Sequence, residues 1–572
     1  MMRPTIHGAL ATVVGCVVLA GSAFGQIRHP GTPATEMFDL SSDYETVVLD
    51  RPDIETMMIE DEARNNWPLR YGAVIPTSLG LDNAGTWSDL GDYGMKVWRL
   101  RLVSPGAITT GVTFDLFKLP VGAKLYLYSA DKREVLGAYT HENNADTMIL
   151  GIEPIIGDDV VIELVLPSVT IEPPLLNVGS VVHDYRNVRD PIFVSGRGSQ
   201  GGSCNLYINC PEGANYQDVK RSVVRTLAGG GLCSGSIMNN TNADNTPYLL
   251  TANHCGGMSG AQFKFNFEYN GCGTGGTNNG QNLSGSQFLA NRSSGNPCGS
   301  NNVDSQLYVL NNSIPASYNA FYAGWNRTTN QTGGGPAVGI GHGGGNQKNM
   351  AVDNNGASNC TNWWQATWSN GYITGGNSGG PLFDGNKRVL GPACCVNNFT
   401  CGQQTAWYGK LGVFWNLTNI SQYLDPAGTG ATVLDGKEHA GVTCSPLPSN
   451  YGTAEVSSTF QLTSIGYTGT PSATSNDFVL TGSGFLGNSF GWLLSSDGNG
   501  VTNPPIGSII VNGPNFTRIL AGTSSAGGDI SLAATVTAAM VGNTQYFQWA
   551  VRDPGWSGNI TMSNGLQVTY CP

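Results

Sequence analysis

Residues 249–255 read LLTANHC, and residues 375–381 read GGNSGGP. In the first stretch an apolar strand delivers His254 to a tight turn of small residues, which Cys255 could pin. A general base needs this combination of firm placement and partial access. In the second stretch glycines flank Ser378, so the backbone there can adopt unusual angles and admit another molecule closely. The two stretches together predict a reactive histidine and serine in one site.

The glycine-rich loop also offers backbone donors. The N–H groups of Gly376 and Ser378 could converge on one point and form an oxyanion hole. A nucleophile of this kind also needs a third residue that orients its base. The acidic residues between His254 and Ser378 are Glu268, Asp304 and Asp353.

Asp304 is the favoured third residue. It directly precedes the apolar run 306–310, so a strand could fix its position. Asp353 stands in the sequence Asp-Asn-Asn-Gly, which is typical of a turn. Asp353 therefore remains the weaker alternative.

The cysteines divide the chain. Cys16 lies in the N-terminal apolar stretch, residues 26–203 contain no cysteine, and twelve occur from Cys204 onward. An even dozen in one region indicates disulfides and an oxidising compartment. No CxxC motif or Cys/His cluster has the spacing of metal ligands, so neither a metal nor a cofactor is expected.

The N-terminus has the pattern of a secretory signal. Arg3 precedes an apolar run from Gly8 to Ala20, and small residues follow it up to Gly25. This pattern predicts a signal peptide over residues 1–25. The alternative is a lipoprotein signal with anchoring at Cys16.

Composition and charge exclude several classes of protein. Charged residues are 12% of the chain, and the net charge is −12 without a basic block, which argues against a nucleic-acid partner. With 40% hydrophobic residues and 79 glycines, the chain favours packed β-structure over long disorder or a coiled coil. Residues 26–197 carry a net charge of −11 and residues 198–572 only −2, which indicates a separate first part.

Short strands separated by turns predict an all-β protein. Alternating or β-rich runs at 97–103, 123–128 and 160–166 predict an antiparallel β-sandwich in the first part. Runs such as 263–267 and 306–310, with Gly/Asn-rich loops between them, predict a barrel or sandwich over 198–440. Residues 445–572 form a third β-domain, which Cys444 and Cys571 could clamp.

Combined motifs resemble the trypsin-like serine peptidase superfamily. They are the order His254…Asp304…Ser378, Thr-Ala-x-His-Cys and Gly-x-Ser-Gly-Gly-Pro. The chain resembles bacterial lysyl endopeptidases more closely, through the segments 202–205 (GSCN), 210–213 (CPEG), 323–327 (AGWNR) and 387–391 (KRVLG). The C-terminal region is similar to modules that end many exported bacterial proteins.

The resemblance implies a trypsin-like double β-barrel peptidase domain over 198–440. It would be flanked by a β-sandwich pro-region at 26–197 and a C-terminal β-sandwich domain at 445–572. The implied function is a secreted serine endopeptidase that acts on proteins or peptides and loses its pro-region near Arg197. The implied disulfides are Cys204–Cys401, Cys210–Cys272 and Cys233–Cys255. The pairing of Cys298, Cys360, Cys394 and Cys395 stays open.

Two departures from the relatives concern activation and specificity. Trypsin-like enzymes activated by a new N-terminus carry an Asp where this chain has Asn377, so that ion pair is excluded. Lysyl endopeptidases read a basic side chain with an acidic residue at the position of Ala406. With Val396 on one pocket wall and Tyr372 before the serine, the sequence favours a small or medium uncharged residue before the cleaved bond.

Two other interpretations remain. Residues 376–380 also fit the G-x-S-x-G elbow of α/β-hydrolases, which would use Ser378, Asp425 or Asp435, and His439. The poor strand before the serine and Pro381 after it disfavour that fold. The second alternative is an inactive peptidase-like binding or adhesion protein, with a surface or matrix partner bound through the C-terminal domain.

Overall fold

The computed structural model describes residues 32–38, 40–63, 68–170, 172–189, 204–276, 281–299, 302–330, 334–398, 404–439, 448–472, 477–502, 509–511, 517–536, 540, 543–556 and 558–571. The predicted signal peptide with Cys16, the predicted cleavage position near Arg197, and Cys401 and Cys444 lie outside these residues.

The N-terminal part contains two helices and a series of strands. They are α1 (Ala34–Met37), β1 (Thr46–Val48), α2 (Ile54–Ala63), β2 (Leu69–Arg70), β3 (Gly72–Gly80), β4 (Thr86–Leu90), β5 (Met95–Val103), β6 (Thr109–Lys118), β7 (Lys124–Tyr128), β8 (Val135–Tyr139), β9 (Leu150–Ile156), β10 (Asp159–Pro167) and β11 (Leu175–Asp184).

Two sheets pack face to face in this part. One has the order β1-β5-β10-β7-β8, with β4 beside β5, and the other has the order β3-β11-β6-β9. Because successive side chains of a strand point to opposite faces, Trp98, Leu100 and Leu102 of β5 all enter the shared core. Their fully buried side chains meet Phe114 and Val181 from the second sheet. The predicted β-sandwich is therefore present.

The central part is also built of strands. It contains β12 (Leu206–Tyr207), β13 (Val223–Ala228), β14 (Gly231–Met238), β15 (Tyr248–Thr251), β16 (Gln262–Lys264), β17 (Asn282–Ser284), β18 (Ser286–Arg292), β19 (Ser305–Leu310), β20 (Phe321–Tyr322), β21 (Trp325–Asn326), β22 (Ala337–Gly341), β23 (Asn349–Asp353), β24 (Ser358–Cys360), β25 (Trp363–Thr367), β26 (Asn370–Gly371), β27 (Pro381–Phe383), β28 (Val389–Val396), β29 (Thr405–Gly409), α3 (Leu411–Leu417), α4 (Ser421–Leu424), β30 (Val433–Leu434) and β31 (Lys437–Glu438).

Most of these strands form two large sheets, and this arrangement agrees with the double β-barrel expected for residues 198–440. The first has the order β17-β16-β13-β14-β15-β19-β18, and the second has the order β12-β23-β22-β27-β28-β29-β25-β24. Thr251 of β15 pairs with Gln306 of β19. The turn after β15 and the residue before β19 therefore leave the first sheet at the same end. This pairing brings His254 and Asp304 together.

Disulfides connect loops of the central part. Cys210 is bonded to Cys272 and Cys233 to Cys255, the pairs that the family resemblance implies. A third bond joins Cys298 to Cys360, which the sequence left open. Cys204 is also disulfide-bonded, but its expected partner Cys401 lies outside the described residues.

The C-terminal part is a smaller β-sandwich. Its strands are β32 (Ser449–Tyr451), β33 (Ser464–Thr468), β34 (Val479–Ser483), β35 (Phe490–Ser496), β36 (Asn499–Thr502), β37 (Ile509–Val511), β38 (Thr517–Thr523), β39 (Ile530–Ala533), β40 (Thr544–Arg552) and β41 (Ile560–Thr569). A sheet of order β32-β41-β40-β35-β38 and a sheet of order β33-β34-β39 share a core around Trp549.

Helices are few and short in the described ranges. None of the helices there has the length and apolar character needed to span a membrane.

Candidate active site

His254 and Asp304 form a doubly connected pair. The Nδ1 atom of His254 lies 2.5 Å from Oδ2 of Asp304, and the backbone N–H of His254 donates to Oδ1 at 2.9 Å. Both side chains are at most 5% exposed. These two contacts fix the imidazole ring and leave its other nitrogen, Nε2, for chemistry. Nε2 is buried and has no hydrogen-bond partner in the described part of the chain.

The environment keeps Asp304 ionised. Burial by itself raises the pKa of this carboxyl, but the hydrogen bonds from His254 and Ser294, together with the charge of His254, outweigh burial and lower it below the ordinary value of 3.8. Ser294 donates its hydroxyl to Oδ1 at 2.6 Å. An ionised Asp304 accepts a hydrogen bond from the Nδ1–H of His254, and Nε2 is the ring nitrogen that Asp304 does not hold.

The serine loop packs against the strand end that carries His254. A Cβ atom at Gly379, the residue after Ser378, would collide with Oγ1 of Thr251 and lie 2.9 Å from the backbone nitrogen of Ala252. The φ of Gly379 is +80°, a region that other residues rarely adopt. Glycine at this position therefore lets the Ser378 loop approach the β15 turn.

Two backbone donors stand free beside Ser378. The N–H groups of Gly376 and Ser378 donate to no acceptor within the described ranges. Gly376 is buried with a φ of +99°, and a Cβ atom there would lie 2.5 Å from the carbonyl oxygen of His342. Buried backbone donors are normally paired. Two free donors in one loop are what an oxyanion-binding site requires.

Ser234 of β14 holds this loop in place. Its hydroxyl donates to the carbonyl of Gly376 at 2.8 Å, and its backbone N–H donates to the carbonyl of Ser378 at 2.7 Å. Because both carbonyls are tied back, the neighbouring N–H groups can face outward. Sequence reasoning missed Ser234 and Ser294, since isolated serines in this serine-rich chain carry no signal. The position of Ser234 directly after the half-cystine Cys233 was the available hint.

Asn377 occupies the neutral position predicted from the sequence. It is 2% exposed. Its Oδ1 accepts the N–H of Thr374 at 2.9 Å, and its Nδ2 donates to Oδ1 of Asn349 at 3.1 Å. The side chain is thus satisfied by neutral groups and offers no charge to an ammonium.

Two of the predicted pocket residues face each other across neighbouring strands. Val396 of β28 pairs with Ala406 of β29, and both belong to an apolar cluster that contains Ile373. Tyr372, the residue before Ile373, is also buried, and burial raises the pKa of its hydroxyl. Gln404, which the sequence did not single out, connects the segment of Ile373 with the segment that follows β28. Its side chain accepts the N–H of Ile373 at 2.9 Å and donates to the carbonyl of Asn398 at 2.7 Å.

The alternative acidic and basic residues have other partners. Asp353 accepts the N–H groups of Asn355 and Thr367, so it stabilises a turn. Asp425 accepts N–H and hydroxyl groups of the 429–430 loop, and Asp435 pairs with Arg388. The Nε2 atom of His439 lies 2.9 Å from the carbonyl of Ile314. These contacts account for the positions of the four side chains, so none of them needs a role at Ser378.

A strand from the N-terminal part lies beside the site. Leu69 and Arg70 of β2 pair antiparallel with Leu232 and Gly231 of β14. The side chain of Leu69 comes within 3.6 Å of where a Cβ atom at Gly375 would stand. Residues numbered before 197 thus contribute a strand to the first barrel sheet, at the edge next to the serine loop.

The chain is similar to known proteins over its central part. Residues 199–409 match the family described as lysyl endopeptidase, C-terminal domain, which is the family that the sequence motifs resemble. Similar solved structures include the Glu endopeptidase in complex with MPD, at 16% identity over 38% of this chain and 97% of that chain, with a TM-score of 0.26. The Rv3671c protease of M. tuberculosis in an inactive form matches at 16% identity over 36% of this chain and 93% of that one, with a TM-score of 0.25. A scabies mite inactivated protease paralogue matches at 14% identity over 35% and 95%, with a TM-score of 0.26.

Proposed function

We propose that this chain is a secreted serine endopeptidase that is made as a precursor. One observation carries the proposal: Asp304 is bonded to His254, and the Ser378 loop, in which two N–H groups donate to no described acceptor, packs against the turn that carries His254. The match over residues 199–409 to a peptidase family supports the same chemistry. Protein or peptide chains are the proposed substrates.

In the proposed mechanism Ser378 Oγ attacks the carbonyl carbon of the scissile peptide bond. The Nε2 atom of His254 takes the hydroxyl proton, and Asp304 stabilises the imidazolium that forms. The N–H groups of Gly376 and Ser378 donate to the oxyanion of the tetrahedral intermediate. His254 then gives its proton to the leaving amine, and a water molecule releases the acyl group by the same steps in reverse.

The position of β2 supports the proposed precursor state. An extended segment that pairs with a sheet edge occupies the backbone groups on which another peptide could pair. The N–H groups of Tyr71 and Gly72 both donate to the carbonyl of Gly230, and this extends the contact beyond Leu69 and Arg70. We therefore propose that the N-terminal part blocks peptide binding at the Gly231–Leu232 edge of β14. Cleavage near Arg197 remains part of this proposal.

A set of ion pairs anchors the blocking strand. Asp61 of α2 accepts from Nε of Arg70 at 2.8 Å, from Arg186 at 2.8 Å and from the Tyr185 hydroxyl at 2.7 Å. The Arg70 guanidinium also donates to the carbonyl of Met57 at 2.7 Å. The helix, the strand and the end of β11 are thus held by one carboxylate.

Buried charges also cross between the two parts. Lys264 of β16 pairs with Glu153 of β9 at 2.7 Å, and both side chains are less than 10% exposed. Arg225 of β13, also buried, donates to the carbonyl of Val188 at 3.2 Å. Both parts carry a net negative charge, but individual pairs in the interface are of opposite charge.

The specificity proposed for the site is a small or medium uncharged residue before the cleaved bond. The Val396–Ala406 pair is apolar. The neighbouring Gln404 amide is neutral, and it accepts a hydrogen bond from Ile373. A buried ammonium needs a carboxylate partner, because an unpaired charge is costly to bury.

A fluorophosphonate probe and a peptide library together test the proposal. We expect the processed form of the wild-type chain to be labelled at Ser378 and to cleave the library, while the Ser378→Ala variant does neither. The unprocessed chain should react much more slowly. Absence of labelling and cleavage in every form would instead support the alternative of a peptidase-like binding protein.

A further inference from the structure

Two adjacent cysteines at the end of β28 are free thiols in the described part of the chain. Among the residues that the structure describes, Cys394 and Cys395 are the free ones, and the others are disulfide-bonded. Both are half-buried at the end of β28. Their sulfur atoms lie 2.7 Å apart, against about 2.05 Å in a disulfide bond. In an oxidising compartment this separation favours bond formation.

A β-bulge explains why the two thiols meet. Successive side chains of a regular strand point to opposite faces, which would separate neighbouring thiols. The register between β28 and β29 shifts between Ala393 and Cys395, which pair with Tyr408 and Trp407. A bulge of this kind re-aims a side chain. Here it places both sulfur atoms on the same side of the strand.

The bulge also places Cys394 at the His254–Asp304 pair. Its Sγ atom lies within 4.8 Å of a carboxylate oxygen of Asp304 and of a ring nitrogen of His254. The hydrogen bond from Cys395, burial and the negative charge of Asp304 raise the pKa of the Cys394 thiol. A protonated thiol beside an ionised carboxylate donates to it. The Cys394 thiol therefore lies where a rotation of its side chain would bring it into hydrogen-bond contact with Asp304, beside the donors His254 and Ser294.

We propose that Cys394 and Cys395 form a reversible vicinal disulfide that withdraws the Cys394 thiol from Asp304 and so lowers peptidase activity. The effect on activity rests on the proposed function, while the disulfide itself does not. Adjacent Cα atoms are about 3.8 Å apart, below the separation of ordinary disulfides, so a bond between neighbours is readily reduced.

The oxidant is a small disulfide such as oxidised glutathione. The Cys395 thiolate attacks one sulfur atom of the oxidant, breaks its S–S bond and releases one glutathione thiol. Cys394 then attacks the Cys395 sulfur of the mixed disulfide as its thiol proton passes to the departing glutathione sulfur through solvent, and the second glutathione thiol is released. The two cysteines lose two protons and two electrons, and the oxidant gains them. A dithiol reductant reverses both steps.

Differential alkylation of the full chain tests the disulfide. After incubation with oxidised glutathione, we expect the peptide that contains both cysteines to carry no alkyl group and to be two mass units lighter than its dithiol form. After mild reduction it should carry two alkyl groups, while the Cys210–Cys272 and Cys233–Cys255 bonds stay intact. Two alkylated thiols in the oxidised sample would overturn the proposal.

Kinetics of the same samples test the coupling to Asp304. Losing a hydrogen bond to a charged group should lower kcat about ten-fold or more, with little change in KM. The Cys395→Ser variant cannot form the bond and should keep dithiol activity under both conditions. Cys394→Ser retains a hydroxyl donor, so it should exceed Cys394→Ala in kcat. Equal kcat in oxidised and reduced wild type would refute the coupling. Failure of every form to react with a fluorophosphonate would instead count against the proposed function, and the mass measurement would still decide the disulfide.

Discussion

Leu69 of the N-terminal part pairs in antiparallel register with Leu232, one residue before the half-cystine that precedes Ser234. Leu69 packs with Tyr71, Val188 and Leu232 in a small apolar cluster. The β2 segment, which precedes Leu232 by more than 150 residues in the chain, thus reaches the loop that carries Ser378. The proposed precursor state therefore depends on a few identifiable contacts of Leu69.

Loosening the anchor of β2 should activate the unprocessed chain. Arg70→Ala removes the partly buried ion pairs to Asp61 and Glu60. Weakening this contact by about 1–2 kcal/mol raises the population with an open site roughly five- to thirty-fold. We expect fluorophosphonate labelling of the unprocessed variant to accelerate by a similar factor.

The matched control for this variant is Arg133→Ala. Arg133 pairs with Asp131 on the same sandwich, but both side chains are about half exposed or more. This substitution should leave the labelling rate unchanged. Equal rates for both variants would show that β2 does not block the site.

Triad substitutions should abolish peptide cleavage. Ser378→Ala and His254→Ala should each lower kcat/KM by several orders of magnitude, because nucleophile and base act as a unit. Asp353→Asn is the control, since Asp353 stabilises a turn and does not contact His254. Near-normal cleavage by either triad variant would make the assignment wrong.

Gly376→Ala should impair the oxyanion hole. Its φ of +99° and the His342 carbonyl 2.5 Å from a new Cβ force the loop to shift. The strain costs on the order of 1–3 kcal/mol, and displaced donors lower kcat further, by about a hundred-fold. Gly257→Ala is the control, because a Cβ at Gly257 meets no atom within 4 Å. Steady-state kinetics on one peptide distinguish the two variants.

Asp304 should make the stability of the chain depend on acidic pH. Its pKa is lowered below 3.8 in the folded state, so the unfolded state binds more protons as the pH falls toward and below that value. The stabilisation is present above pH 3.8 and is lost as the pH falls through the folded value. Urea unfolding from about pH 5 to about pH 2 should show a steeper loss for wild type than for Asp304→Asn. Parallel curves would contradict the lowered pKa.

The residue preference in a cleaved peptide library should reflect the side chains proposed to line the pocket. Small or medium uncharged residues before the cleaved bond should be preferred, because the half-buried Val396 and the buried Ala406 beside it carry no charge to pair with a basic side chain. Sequencing the products gives the preference directly. Cleavage mainly after Lys or Arg would require a carboxylate in the pocket and would contradict this prediction.

The sequence predicted the elements whose signals are local. The strand before His254, the Asp304 position before β19 and the serine loop all stand in compact motifs. The run 263–267, in contrast, was predicted as one strand, but β16 ends at Lys264 because Asn266 adopts a φ of +49°. A left-handed residue inside an apolar run leaves little trace in the composition.

Long-range relationships escaped the sequence. Nothing in Leu69 and Arg70 indicates that they pair with β14, because pairing over such a distance depends on the whole fold. The bulge at Cys394 is equally hidden, because the sequence shows two adjacent cysteines but not the register of the strand that carries them. Asp304 could be chosen over Asp353 from its strand, whereas its additional donor Ser294 became visible only in three dimensions.

Cleavage of the chain would change how the β2 strand is held against β14. Before cleavage near Arg197 the strand is tethered, so its pairing with β14 is intramolecular and independent of protein concentration. After the proposed cleavage the N-terminal part would be a separate molecule, held to the central part by the β2–β14 pairing and the buried Lys264–Glu153 pair. Its release would then be a bimolecular equilibrium, which dilution favours. In the proposed function the cut therefore makes release possible, and dilution of the cleaved chain completes activation.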